Sequence, residues 1–324
     1  MHLDGEEISL AREIVWRGEQ LRSYSRAVER GRLVRPHRGS YVDADRWREL
    51  SDAQRYTFSV LAAVVASRSS PIVSHVSAAA LHGAPLIGPR PTLIHVLATS
   101  AAGTRTEHGF RKHATDHLLT DLERRGELRL TNLVRTLADI AVDAPFLTAI
   151  GILDWGMREH GVAPAELRDK LDRLDIRRGR SRAVRAIEFA DSRAASPGES
   201  LSRVRLLELG FPAPVLQQEF RDRRGLIGFA DFWWPAHGLI GEFDGIAKYV
   251  REEYTDGRST AEVVIDEKLR EDRLRALGHR LVRWGWRDAR EPYGLNPVLL
   301  PLLPRAVSRK RANPAPPGDR GRPS

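Results

Sequence analysis

The sequence predicts an α+β protein, shading into α/β, built from more than one domain. Three observations predict it. The chain has 324 residues, which favours two domains or a little more. Segments of helical apolar period are interleaved with short runs of strand period, and glycine and proline separate them. Apolar residues make up 41% of the chain, enough for real cores, and no run reaches the roughly 18 apolar residues of a membrane span.

Charge and cysteine usage narrow the function classes. The net charge is +9, which points to a polyanion partner, with DNA or RNA the natural one. A compositional bias toward arginine is the plain alternative, since only five of the 52 basic residues are lysine. That bias makes lysine informative: Lys248 and Lys268 fall within one short stretch. The absence of cysteine excludes disulfides and thiolate metal sites and fits a cytoplasmic protein. The opening MHLDGEEISLAREIVW is acidic before it is apolar, unlike a signal peptide. No membrane partner is expected.

In chain order, residues 7–17 and 20–30 read as two short helices. The second carries Arg22, Arg26 and Arg30 at i, i+4 and i+8, one basic stripe, and Gly31 can end it. Leu33 to Val42 then reads as a small hairpin with Arg35 and Arg38 near its tip. A basic helix before a basic hairpin is what a winged helix needs, the helix entering the major groove and the wing touching phosphate. A solvated amphipathic helix fits the same pattern.

Residues 53–67 read as an apolar helix. Ser74 can cap a helix that stops near Gly83. His75 and His82 lie seven apart, near one face of that helix. They could bind a metal, but no third ligand is evident, so the reading is structural or hydrogen-bonding histidines. Residues 92–98 and 105–113 read as strands, and 131–141 as a capped helix in which Arg135 and Asp139 can form an exposed pair. Helices are expected over 146–158 and 163–174. Residues 176–197 form a connector whose arginines, Arg177 to Arg185, are a solvated face or a phosphate contact. Ser196, Pro197 and Glu199 then open a leucine-rich helix as N-cap, N1 and N3, so Glu199 is readable as a capping-box glutamate.

The stretch Gly228 to Asp244 reads as two strands around a turn at Pro235 to Gly238. Ile227, Phe229, Asp231 and Trp233 share one face, as do Ile240, Glu242 and Asp244. If Trp234 pairs with Leu239, Asp231 stands opposite Glu242, with Cβ atoms roughly 4.5–5.5 Å apart. Two carboxylates that close need a proton or cation between them, and Mg²⁺ is a natural occupant. Solvated acids, or Asp231 paired with an arginine, are the plain alternatives. A charged helix over 265–278 and a strand from Arg280 follow. The order is helix, strand, strand, helix, strand, and the tail from Arg305 is expected to be disordered.

Two resemblances add to this reading. Gly39 to Val42 after an arginine-rich turn, the string Ser74-His75-Val76-Ser77-Ala78-Ala79-Ala80-Leu81-His82-Gly83, and Thr131 to Asp139 resemble the AbiEi-type antitoxin family over about residues 7–175. That resemblance implies a winged-helix transcriptional repressor and a cognate toxin protein as a partner, and brings no catalytic residues. Residues 195–290 resemble the PD-(D/E)XK nucleases related to very-short-patch-repair endonucleases. The resemblance rests on Glu199-Ser200, Asp231, Glu242-Phe243-Asp244-Gly245, Glu267 to Asp272, and Leu281 to Trp284. It implies a restriction-endonuclease-like mixed sheet flanked by helices, with Mg²⁺ or Mn²⁺ on Asp231 and Glu242, and Glu199 as an outer acid. The sequence departs from the pattern two residues after Glu242, where Asp244 replaces the expected lysine and is itself a candidate ligand. Lys248 or Lys268 would then supply the charge.

The expected organisation is a winged-helix-like segment over 1–50, an antitoxin-like α+β domain over 51–175, a basic linker over 176–197, a nuclease-like domain over 198–292 and a tail over 305–324. The leading functional expectation is metal-dependent hydrolysis of DNA by Asp231, Glu242 and Lys248, with Glu199 in support. Arg22, Arg26, Arg30, Arg35, Arg38, Lys268 and Arg270 would hold nucleic acid. The rival is a repressor whose nuclease fold is inactive.

Overall fold

The computed structural model describes residues 2–3, 6–7, 9–10, 21–67, 69–98, 103–115, 121–245 and 260–305. The protein is α+β, with helices set against several sheets, some of them mixed. Among the described residues no helix is long and apolar enough to cross a membrane. The chain divides into two compact units, Met1–Leu201 and Ser202–Ser324.

The first unit begins with a two-residue ribbon, His2–Leu3 paired with Glu6–Glu7. Strand β1 (Ser9–Leu10), helix α1 (Leu21–Glu29), β2 (Leu33–Val34) and β3 (Ser40–Asp43) follow. The sheet order is β1-β3-β2, antiparallel throughout. The helix expected over 7–17 is corrected at its start, because Glu7, Ser9 and Leu10 are extended. Ser9 pairs with Tyr41, and the open edge of β3 outweighs local helix propensity. The rest of that expected helix, residues 8 and 11–17, lies outside the described residues. Helix α1 ends where Gly31 takes φ +70 and its N–H bonds Val28 at 2.9 Å.

Helices α2 (Ala44–Glu49) and α3 (Asp52–Ala66) come next, α3 opened by a capping box between Ser51 and Gln54. Six strands then form one mixed sheet: β4 (Ile72–Val73), β5 (Ile94–Ala98), β6 (Arg105–Glu107), β7 (Phe110–Ala114), β8 (Leu122–Arg125) and β9 (Leu128–Thr131). Their order is β8-β9-β4-β5-β7-β6, with β9/β4 and β5/β7 parallel. The single strand expected over 105–113 is two, because His108 and Gly109 turn the chain with φ of 49° and 84°. Strands β4, β8 and β9 are too short or too charged to show a period.

Helix α4 (His75–Leu81) and four more, α5 (Leu133–Asp143), α6 (Phe146–His160), α7 (Pro164–Arg173) and α8 (Arg180–Phe189), complete the unit. Asn132 caps α5 by accepting from the Arg135 N–H at 3.0 Å. Helix α9 (Pro197–Glu208) contains the boundary between the units.

The second unit is a four-stranded mixed sheet of β10 (Val215–Asp222), β11 (Gly225–Trp234), β12 (Leu239–Asp244) and β13 (Arg280–Gly285), in that order. Strand β10 is an addition to the expected order, since VLQQEFRD lacks clear alternation. The β12/β13 pair is parallel and α10 (Thr260–Ala276) connects it. Leu274 of α10, 1% exposed, packs with Phe220, Ile227, Ala230 and Ile240. Arg273 grips Asp222 through Nη2 at 2.6 Å and Nε at 2.8 Å, which pulls the Asp222 carboxyl down to about 2. Two short helices, α11 (Trp286–Arg290) and α12 (Asn296–Leu299), follow.

The other sheet face buries Phe232, Trp234 and Trp284. Each indole N–H is satisfied, Trp234 by the Pro212 carbonyl and Trp284 by Ser202 Oγ, both at 2.8 Å. Gly241 lies between the rings: a Cβ there would stand 2.5 Å from Trp284 Cη2 and 3.0 Å from Trp234 Cζ3. Neither ring has room to retreat in a close-packed interior. Gly241→Ala is therefore expected to destabilise the second unit by about 1–3 kcal/mol, read as a lower urea midpoint. An unchanged midpoint rejects this packing.

Candidate functional site

The acidic hairpin has the expected register. Trp234 pairs with Leu239, Trp233 with Ile240 and Phe232 with Gly241, so the next positions are Asp231 and Glu242. Their carboxylates nevertheless have partners. Asp231 Oδ2 accepts from the Phe243 N–H at 2.8 Å, and Oδ1 from Gln217 Nε2 at 3.2 Å. Glu242, 8% exposed, accepts from Arg270 Nη2 at 2.6 Å on one oxygen and from Arg283 Nε at 3.0 Å on the other. Glu267 and Glu271 extend the network, through Arg270 Nη1 at 3.0 Å and Arg283 Nη1 at 2.9 Å. Burial alone would lower the Arg270 pKa, but its bond to Glu242 and the charges of Glu242 and Glu267 outweigh burial and raise it.

Arg270, a residue expected at nucleic acid, is a counter-ion of Glu242 and also bonds the Phe229 carbonyl at 2.8 Å. Two guanidiniums stand where Mg²⁺ or Mn²⁺ was expected. A cation beside Glu242 would compete with them. Asp231, Glu242 and Asp244 form no three-ligand group among the described residues. Asp244 is half-buried at the end of β12. Lys248 lies outside the described residues. Glu199 is buried at the start of α9, where Oε1 accepts from Ser196 Oγ at 2.8 Å and Oε2 from the Ala195 N–H at 2.9 Å. Its own N–H donates to Ser196 Oγ at 3.2 Å, so it closes the helix start as its position in the sequence allows.

The basic residues near the N-terminus are placed differently. Arg22, Arg26 and Arg30 are exposed on and just after α1, and Arg35 and Arg38 are exposed in the β2–β3 turn. None of the five forms an ion pair with another described residue. Lys268 is likewise exposed, on α10.

A further group was not singled out in the sequence. His75 starts α4, His95 lies on β5, His113 on β7, and Asp143 ends α5. In the parallel β5/β7 ladder His95 faces Arg111 and Leu97 faces His113, so both histidines project from one face. His75 stacks on His113 with ring centroids 3.6 Å apart and an interplanar angle of 16°. His113 Nε2 and His95 Nδ1 are 3.0 Å apart, and His75 Nδ1 is 3.0 Å from Ser74 Oγ. Ligating atoms of His75, His113 and Asp143 all lie within 4.8 Å of one another. A cavity of about 210 Å³ opens beside them, lined in part by His75, His95, Arg111 and Asp143. His75 holds φ +52, a conformation that costs a non-glycine residue about 1–3 kcal/mol.

His82 is a hydrogen-bonding histidine, as the sequence suggests for both it and His75. His82 Nε2 bonds the Thr131 carbonyl, and Nδ1 meets Arg125 Nη2, both at 2.9 Å. The expected exposed pair Arg135–Asp139 is buried, each residue 6% exposed, with Nε to Oδ1 at 2.9 Å. Tertiary packing covers the face that a lone amphipathic helix would leave wet.

No family model matches the chain. Two curated relatives from Mycobacterium tuberculosis are similar to part of it: uncharacterized protein MT2308 (strain CDC 1551 / Oshkosh) and uncharacterized protein Rv2248 (strain ATCC 25618 / H37Rv). Each is 32% identical over 134 residues, 41% of this chain and 46% of the relative. The match thus spans about half the length of those relatives. The crystal structure of RV2827C protein from the same species aligns over 68% of this chain and 85% of its own, at 15% identity and a TM-score of 0.36.

Burial sets the protonation of the histidine group. Desolvation pushes His75 and His113 down to about 3 and His95 down to about 4, with neighbouring imidazoles adding to the shift. Desolvation raises Asp139 to about 6, against the opposing charge of Arg135. From pH 6.5 downward the unfolded chain therefore takes up protons that the folded imidazoles refuse, and stability falls. Asp139 works the other way, favouring the folded state as pH drops through about 6. Three imidazoles outweigh one carboxyl, each net proton being worth about 1.4 kcal/mol per pH unit. In EDTA, the melting temperature should fall between pH 6.5 and 4, less steeply for His113→Gln; a flat profile refutes the buried neutral state.

Proposed function

We propose that the protein is a DNA-binding regulator whose contacts with DNA come from the N-terminal helix and hairpin, and whose second unit is a nuclease-type fold used without metal-dependent chemistry. The observation that carries this reading is the exposed set of Arg22, Arg26, Arg30, Arg35 and Arg38, none of them neutralised by a described acid. An arginine held ready in solvent is suited to phosphate, where it displaces condensed counterions. In residues 21–43 six arginines stand against only Glu29 and Asp43. The strand order β1-β3-β2, with α1 directly before the β2–β3 hairpin, supports a reading in which a helix and a wing flank one groove. Operator recognition would fall to side chains of α1, and the hairpin turn would fix the register on the backbone.

The rival reading is DNA hydrolysis at Asp231 and Glu242, which their register favours. Against it stands the pairing of both Glu242 oxygens with arginine. Removing a bound cation's charge from two close acids would leave them needing compensation, and here Arg270 and Arg283 already give it to Glu242.

Fluorescence anisotropy with a labelled duplex tests the first reading. The triple variant Arg22→Ala/Arg26→Ala/Arg30→Ala should bind more weakly at about 0.1 M salt, and its slope of log affinity against log salt should shrink by up to about three. Equal affinity and slope for variant and parent would remove the N-terminal helix from the interface. A plasmid incubated with Mg²⁺ should stay uncut. Cleavage that EDTA and Asp231→Ala both abolish would instead establish the hydrolytic reading.

A further inference from the structure

We propose that His75, His113 and Asp143 are the ligands of a divalent transition-metal ion of the zinc class, with a coordination position open toward the neighbouring cavity. This site is separate from the DNA-binding reading and does not rest on it.

Four observations converge. First, the ligating atoms of the three residues lie within 4.8 Å of one another, and among the described residues no other group of three does so. Second, the ligands come from three elements locked by the fold: the first residue of α4, strand β7, and the last residue of α5. The fold thus fixes the three backbones, while the stacked rings of His75 and His113, 16° apart, must turn from each other for both in-plane lone pairs to meet one ion. Third, each imidazole already has one nitrogen occupied. His113 Nε2 meets His95 Nδ1 and His75 Nδ1 meets Ser74 Oγ, both at 3.0 Å. Such bonds orient a metal-bound histidine and leave its other nitrogen for the ion. Fourth, the cavity of about 210 Å³ beside His75 and Asp143 has room for a water or a small ligand in the open position.

The donor set selects the ion. Two imidazoles and one carboxylate suit Zn²⁺, Co²⁺ or Fe²⁺, whereas Mg²⁺ prefers an all-oxygen shell. Burial keeps both imidazoles neutral, the form that ligates. The left-handed backbone of His75 is the kind of strain that is retained where a side chain must be aimed. One group opposes the ion: Arg111 Nη2 lies 3.6 Å from Asp143 Oδ2. Its side chain is 39% exposed, so it can swing toward solvent as the metal enters. The competing account is a plain one, in which the stacked histidines are a hydrogen-bonded part of the core with no ion at all.

Untagged full-length protein, stripped with EDTA and dialysed, is titrated with Zn²⁺ by calorimetry, and Co²⁺ is added in parallel to read its visible ligand-field bands. The expected result is one Zn²⁺ per chain, and Co²⁺ bands of a four- or five-coordinate nitrogen and oxygen site. His113→Gln and Asp143→Asn should each weaken zinc by about 100-fold or more, while His108→Gln changes nothing. Arg111→Gln should tighten zinc by about tenfold, because it removes the cation that competes for Asp143. This last variant keeps every ligand, so it decides the matter even if the others fail to fold. No stoichiometric zinc in the parent overturns the proposal. So does unchanged affinity in folded His113→Gln and Asp143→Asn, or unchanged or weaker affinity in Arg111→Gln.

Discussion

A carboxylate buried on a β-sheet has to be compensated, and the second unit is arranged around how Glu242 achieves it. Glu242 is held by β12 with 8% exposure, and it meets Arg270 from α10 and Arg283 from β13. Those two bonds tie the helix and the parallel strand to the centre of the sheet. Glu267 and Glu271 on α10 balance the arginines in turn, so the charges close on themselves. Such a network contributes little net stability compared with apolar packing, yet losing one partner strands the others. It also occupies the acid that a nuclease reading of the sequence would assign to a metal.

The acidic hairpin shows what was legible in the sequence. The run GFADFWWPAHGLIGEFD has a turn and a period of two, which together fix the register, and Trp234 does pair with Leu239. Its electrostatic consequence was not legible. The arginines that neutralise Glu242 stand 28 and 41 positions away, and nothing local distinguishes them from the other arginines of a basic chain. Strand β10 and the short strands β8 and β9 escaped for a related reason. In LERR and VLQQEFRD the pairing partner, and not the side-chain pattern, makes the strand.

The histidine group is a case where half the signal was present. The sequence marks His75 and His82 on one helix face as hydrogen-bonding histidines and shows no third ligand. The real neighbours of His75 come from β7 and from the end of α5, 38 and 68 residues further on. The clue in the sequence was chemical: His95 and His113 each sit inside an otherwise strand-like run, where an imidazole needs a partner. Arg135 and Asp139 were read correctly as a pair and wrongly as exposed. The single-helix pattern cannot say that Lys170 and Asp121 will close over them, bonded to each other at 2.6 Å.

The connectivity of the six-stranded sheet bears on how the chain is made. Its β9/β4 ladder joins Ile72 and Val73 to Arg129 and Leu130 in parallel, across more than fifty intervening residues. During synthesis the early strand must wait, with one edge unsatisfied, until that later segment has left the ribosome. Long-range parallel pairing is slow to nucleate because loop closure precedes its reward. A nascent chain stalled between those two points would present an open β-edge, the form most prone to associate with another copy or to be captured by a chaperone.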